Sequence, residues 1–201
     1  MLFEISHRNI CTLAVKWLKR PRGNGGAGCH LAFSETAPAG AKEIPDALGF
    51  EHGRSVLVEV KVSRADFLAD SCKIFRQKPE EGMGCFRYFM APQGIIGLHE
   101  LPKNWGLVEV TTRGSCKVHQ GHVLFYGYQN QEPFRHNKNG AAEVAFLVRM
   151  LRRVQNAEEA HARIKTAEAK FGRALNIISK LEKENERLTK TLFELRYGKA
   201  D

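Results

Sequence analysis

The stretch SVLVEVKVSRADF, Ser55 to Phe67, decides how this chain is read. In an extended strand Val56, Val58, Val60 and Val62 fall on one face, and Leu57, Glu59 and Lys61 on the other. An apolar run of this length predicts a buried strand. Yet it carries a carboxylate and an ammonium on the same face, and burying charges costs free energy unless they are paired. Beyond it, Ser63 stands three residues before Asp66, the spacing of a helix cap, so RADFLADSCKIFRQK reads as a helix. Asp66, Asp70 and Lys73 then share one helix face.

Upstream, IPDALGF reads as a second strand. If His52-Gly53 is the turn of a two-residue hairpin, Asp46 falls opposite Glu59, although a register slip of one residue is open. Adjacent carboxylates repel and resist desolvation. A hard divalent cation such as Mg²⁺ resolves this, leaving coordination positions for water and phosphate oxygens. Lys61 would then face a phosphate or orient the attacking water. The plain alternative is a Glu–Lys pair on a solvated sheet face, with Asp46 in a turn.

Working outward, residues 5–20 read as a helix with Ile10, Leu13, Ala14 and Trp17 on one face, ended by Pro21 and the glycine-rich RGNGGAG. CHLAFSE, CFRYFMA, GLVEVTT and HVLFYGY read as further strands, which predicts a mixed α/β domain over residues 1–139. The character changes at residue 140. Proline disappears, glycine thins to Gly140, Gly172 and Gly198, and a heptad pattern sets in. Its a positions are Ile164, Phe171, Ile178, Asn185 and Leu192, and its d positions Ala167, Ala174, Leu181, Leu188 and Leu195. An a-position Asn between leucine layers favours a parallel two-stranded coil, and Arg163 can reach Glu168 of a partner helix. Residues 140–201 are therefore expected to form a long helix that makes a homodimer, a helix folded back on the domain being the alternative.

Of 201 residues, 31 are Lys or Arg and 22 Asp or Glu, a net charge of +9. That balance favours a polyanionic partner, with Lys16, Lys19, Arg20 and Arg22 as the densest basic patch. No run is apolar enough to cross a membrane, and the first twenty residues lack the apolar segment of a secretory signal. Five scattered cysteines without CxxC spacing suit reduced thiols, so a cytoplasmic protein is expected.

Pro45-Asp46 followed by Glu59-Val60-Lys61 resembles the signature of the PD-(D/E)xK nuclease superfamily. VEVKVSRADFLAD, Lys73, FRYFMAP and ELPKNWGLVEV are similar to the MmcB family of DNA-repair nucleases over roughly residues 1–120. The resemblance implies a restriction-endonuclease-like core, a mixed sheet flanked by helices, and Mg²⁺- or Mn²⁺-dependent hydrolysis of DNA phosphodiester bonds. It implies that Asp46, Glu59 and the Val60 carbonyl ligate the metal and that Lys61 serves the water or phosphate. It places an upstream acidic residue at Glu35, with Glu4 as competitor, and lets Ser63, Asp66, Asp70 and Lys73 orient Lys61 or touch phosphate. Repair, recombination, or phage and mobile-element DNA metabolism is the expected setting. Pro45 departs from the arginine that this family tends to carry before the aspartate.

The rival expectation is a catalytically silent nuclease fold that binds DNA or protein through its coiled coil. Weaker signals complete the reading. GNGGAG, from Gly23 to Gly28, follows a helix rather than opening one, so it reads as a flexible connection. Cys116, His119 and His122 lack a second ligand pair for zinc. Trp17 and Trp105 read as core, and Arg135, His136 and Lys138 as a polar joint or a phosphate contact.

Overall fold

A computed structural model of the chain describes residues 3–34, 44–70, 78–153 and 157–198. Helix α1 (His7–Lys19) opens on Ser6, whose hydroxyl accepts the Asn9 N–H at 3.3 Å, and its backbone turns extended at Arg20, just before Pro21. The capping hydroxyl satisfies one of the N–H groups that a helix start leaves orphaned. Its buried stripe is Ile10, Cys11, Leu13, Ala14, Trp17 and Leu18.

Six strands form one mixed sheet in sequence order: β1 (Leu31–Ser34), β2 (Ala47–Glu51), β3 (Arg54–Val60), β4 (Phe86–Pro92), β5 (Gly106–Val110) and β6 (Cys116–Gln120). The β1–β2, β2–β3 and β5–β6 pairs are antiparallel, while β3–β4 and β4–β5 are parallel. Between β2 and β3, Glu51 pairs with Arg54 across His52 and Gly53. Both turn residues have positive φ, 27° and 77°, as the tight hairpin turn that matches strand twist requires. The two-residue turn therefore sets the register of the residues on either side of it. A parallel neighbour cannot follow directly, so the chain leaves β3 through Ser63 into helix α2 (Arg64–Asp70) before returning as β4.

The stripe of α1 packs on the sheet face formed by Val56, Val58, Val60, Tyr88, Met90, Val108 and Val110. Leu57, Glu59 and Lys61 alternate to the other face, where Phe67 of α2 meets Phe89 edge-on at 5.2 Å and Phe89 stacks on Trp105 at 4.5 Å. The two tryptophans are thus core residues.

Two expectations need correction. HVLFYGY is not a strand. The sixth strand is the preceding CKVHQ, paired with β5, and Gly121 at φ 132° turns the chain out of the sheet. His122 then plugs the core, stacked on Phe86 at 3.7 Å with its Nδ1 2.8 Å from the Tyr88 hydroxyl. The glycine-rich segment is not a loose connection. The Gly26, Ala27 and Gly28 N–H groups donate to Pro21, Trp17 and Arg20 carbonyls, and the Trp17 indole donates to the Gly25 carbonyl at 2.9 Å.

After a single helical turn, α3 (Tyr128–Gln131), comes α4 (Gly140–Arg153), capped by the Asn139 side chain, which accepts the Ala142 N–H. The first compact unit runs from Met1 to Leu147, past the composition change at residue 140, because α4 begins inside it. The buried Glu143 carboxylate accepts the Ser55 hydroxyl at 2.6 Å and the Gly84 N–H at 2.9 Å, and pairs with Lys138 at 2.6 Å. Phe146 lies against Phe33 and Phe50. Lys138 and Arg135, the latter over the Tyr128 ring, are therefore part of a structural joint. The second unit, Val148–Asp201, contains α5 (Ala157–Tyr197), an unbroken helix of 41 residues.

Burial, followed by the charges of Arg22 and Arg54, pushes the His122 pKa down to about 3. Its neutral form is the folded form, so its contribution is complete above the unfolded value of 6.5 and is lost as pH falls toward 3. The expected outcome in a histidine NMR titration is a ring still neutral at about pH 5, below the ordinary histidine midpoint. A midpoint near 6.5 in the folded protein would contradict this packing.

Candidate functional site

The β2–β3 ladder ends at the pair Ala47–Val58. Continuing that register sets Asp46 opposite Glu59, as the hairpin reading expects. Pro45, buried just before it, has no N–H with which to extend the ladder. Past the last ladder pair the Asp46 side chain supplies an acceptor. Its Oδ2 accepts the Val60 N–H at 2.7 Å. The carboxylate therefore sits at the end of β2, against the residue between Glu59 and Lys61. Its other oxygen, Oδ1, lies 3.3 Å from His7 Nε2 on α1.

Lys61 continues the β3–β4 edge, its N–H donating to the Met90 carbonyl at 3.0 Å. Its Nζ is 2.9 Å from Asp70 Oδ1, 3.7 Å from Asp66 Oδ1 and 3.8 Å from Glu59 Oε2. Glu59, Lys61 and Asp70 are 2%, 4% and 3% exposed, so these charges interact through a low-dielectric medium walled by Phe67 and Phe89. Attraction between them there is strong, and so is the penalty for removing one partner.

Ser63 is a cap: its Oγ accepts the Asp66 N–H at 3.2 Å, and its carbonyl accepts the Phe67 N–H. Asp66 Oδ2 reaches back to the Val62 N–H at 3.4 Å. Asp66 and Asp70, one helical turn apart, both face Lys61. For these two acids capping and orientation of the lysine coexist. Arg64 forms a bidentate pair with Glu100, which holds that carboxyl at about 2 with help from the Gly97 N–H and ties the start of α2 to the β4–β5 connection. Glu35 and Lys73 lie outside the described residues. Glu4 is exposed and accepts from the Asn9 amide at 3.4 Å.

The basic patch is divided. Lys16 and Lys19 are exposed, Arg20 is half-buried, and the Arg22 guanidinium pairs with Glu51 at 3.5 Å. Cys116, His119 and His122 do not converge: His119 pairs with Glu109 at 2.9 Å and His122 is in the core. Sequence reasoning missed His7 and Cys11. The only local signal is their spacing of four on α1, and the contact with Asp46 is made across the fold.

Removing the ammonium should expose the cost of this buried cluster. Lys61→Met is expected to lower the unfolding free energy by about 3 kcal/mol or more. Adding Asp70→Asn should recover part of the loss, because the pair is coupled. Chemical denaturation of the two single variants and the double variant checks this; additive losses would contradict the pairing.

No family model matches the chain, and no curated protein matches it. Among solved structures the chain is similar to the SPO1766 protein of unknown function from Silicibacter pomeroyi, at 18% identity and a TM-score of 0.46, over 73% of this chain and 87% of that one.

Proposed function

We propose that the chain is a metal-dependent nuclease of the PD-(D/E)xK type, with a restriction-endonuclease-like core, that hydrolyses DNA phosphodiester bonds. The observation that carries this reading is the 2.7 Å hydrogen bond from the Val60 N–H to Asp46, which fixes one carboxylate beside the Glu59-Val60-Lys61 run. The donor set fits a hard cation: Asp46, Glu59 and the Val60 carbonyl would hold Mg²⁺ or Mn²⁺, all through oxygen, with positions left for water and phosphate. When bound, the cation supplies Lewis acidity toward the phosphate and a more acidic water. Lys61, oriented by Asp66 and Asp70, supplies a positive charge at the end of β3 to position the nucleophile or offset charge on the phosphate. Lys16 and Lys19 offer exposed phosphate contacts, which bring affinity without base selectivity.

The rival, a silent binding factor, has one observation in its favour. Lys61 and the carboxylates around it, and Asp46 with Val60 and His7, also satisfy one another as ion pairs and hydrogen bonds. Cleavage separates the readings. Purified protein is expected to nick plasmid DNA with Mg²⁺ or Mn²⁺ and to lose about 100-fold or more of that activity in Glu59→Gln. DNA binding without cleavage in wild type would favour the silent fold, and undiminished cleavage in the variant would overturn the assignment of Glu59 to the site.

We also propose that α5 pairs with its counterpart in a second copy as a parallel two-stranded coil. Ile164, Phe171, Ile178, Leu181, Leu188 and Leu192 are all at least half exposed along one helix, with Asn185 exposed in the same seam. The Leu195 side chain lies outside the described residues. Helical stability in water comes chiefly from packing an apolar face, so this seam calls for a partner. Asn185 pairs best with itself in register, and Arg163 with Glu168 of the second copy, which selects a copy of this chain over an unrelated helix. Light scattering is expected to give twice the chain mass, and Leu181→Asp/Leu188→Asp to give a folded monomer. A monomeric wild type would overturn the pairing.

A further inference from the structure

We infer that His7, Cys11 and Asp46 form a binding site for a borderline-soft divalent cation of the zinc class. His7 and Cys11 stand four apart on α1, so imidazole and thiol share a face. Cys11 Sγ is 3.5 Å from His7 Nδ1 and 3.9 Å from Nε2, and His7 Nε2 is 3.3 Å from Asp46 Oδ1. One ligand atom from each residue lies within 4.8 Å of the others. Zinc bonds to nitrogen, oxygen and sulfur imply tetrahedral edges of about 3.3 Å between N and O and about 3.6 Å between N and S. The observed separations through Nε2 match the first and exceed the second by a few tenths of an ångström.

The donor chemistry sets the preference. A thiolate and an imidazole favour zinc or cobalt over Mg²⁺, which takes oxygen ligands. Asp46 is already anchored, because its Oδ2 is held by the Val60 N–H while Oδ1 faces the other two ligands. Such outer support is what orients metal ligands. Cys11 is buried while His7 and Asp46 are partly exposed, so the triad opens to solvent on one side and leaves a fourth position for water. The ordinary alternative is a thiol–imidazole contact beside a His–Asp ion pair.

This inference does not rest on the nuclease reading, and its test needs no cleavage. Co²⁺ is titrated into the full chain in excess Mg²⁺, following the thiolate-to-cobalt charge-transfer band and the ligand-field bands of tetrahedral cobalt. One equivalent per chain is expected, with the charge-transfer band lost in Cys11→Ser and affinity lowered about tenfold or more in His7→Gln. His7 is partly exposed, so its variant keeps the test decisive if Cys11→Ser fails to fold. A wild type without the band, a band that survives in folded Cys11→Ser, or wild-type affinity in His7→Gln would overturn the site. Cobalt binding without any DNA cleavage would leave this inference standing and count against the nuclease alone.

Discussion

The hydrogen bond from the Val60 N–H to the Asp46 carboxylate is the constraint around which the rest of the structure is arranged. It gives the Val60 N–H an acceptor at the point where the β2–β3 ladder stops. A side chain hydrogen-bonded to a strand end is oriented by it, and here that side chain is a carboxylate. One of its oxygens is used for architecture and the other remains directed at α1. The same bond therefore ends a strand, orders a charged group, and brings it to residues from two other elements, β3 and α1.

Around the end of β3 the fold makes a second commitment. Glu59, Lys61 and Asp70 lie in a nearly dry layer beside Phe67 and Phe89. A purely apolar set of the same volume would often be at least as stable, so the charges add little to the case for stability. Their arrangement fits chemistry that needs a lysine of fixed position next to carboxylate oxygens. The long helix α5 has a different logic. It carries an apolar seam that is at least half exposed at Ile164, Phe171, Ile178, Leu181, Leu188 and Leu192.

The parts of this fold that depend on local rules were legible in the sequence. The alternating valines, the His52-Gly53 turn and the Ser63 cap predict β3, its register with β2 and the start of α2. The parts that depend on distant contacts were not. CKVHQ was passed over because an edge strand needs few apolar residues, whereas HVLFYGY has them and uses them in a turn that plugs the core with His122. Gly140 marked a change of composition, yet Glu143 and Phe146 just beyond it belong to the first compact unit. Arg22 reads as part of a basic patch and is paired with Glu51, while Lys138, open between a polar joint and a phosphate contact, is paired with Glu143. His7 and Cys11 looked like ordinary helix residues until the fold carried Asp46 to them.

The central claim is that Asp46 and Glu59 together hold a hard cation at the end of β3. Calorimetric titration of Mn²⁺ into wild type, Glu59→Gln and His7→Gln, each with a short DNA duplex, tests it most directly. The account predicts binding in wild type that disappears in Glu59→Gln and persists in His7→Gln. Binding indifferent to Glu59, or none in the wild type with DNA present, would contradict it and leave the buried charges as an ion-pair cluster.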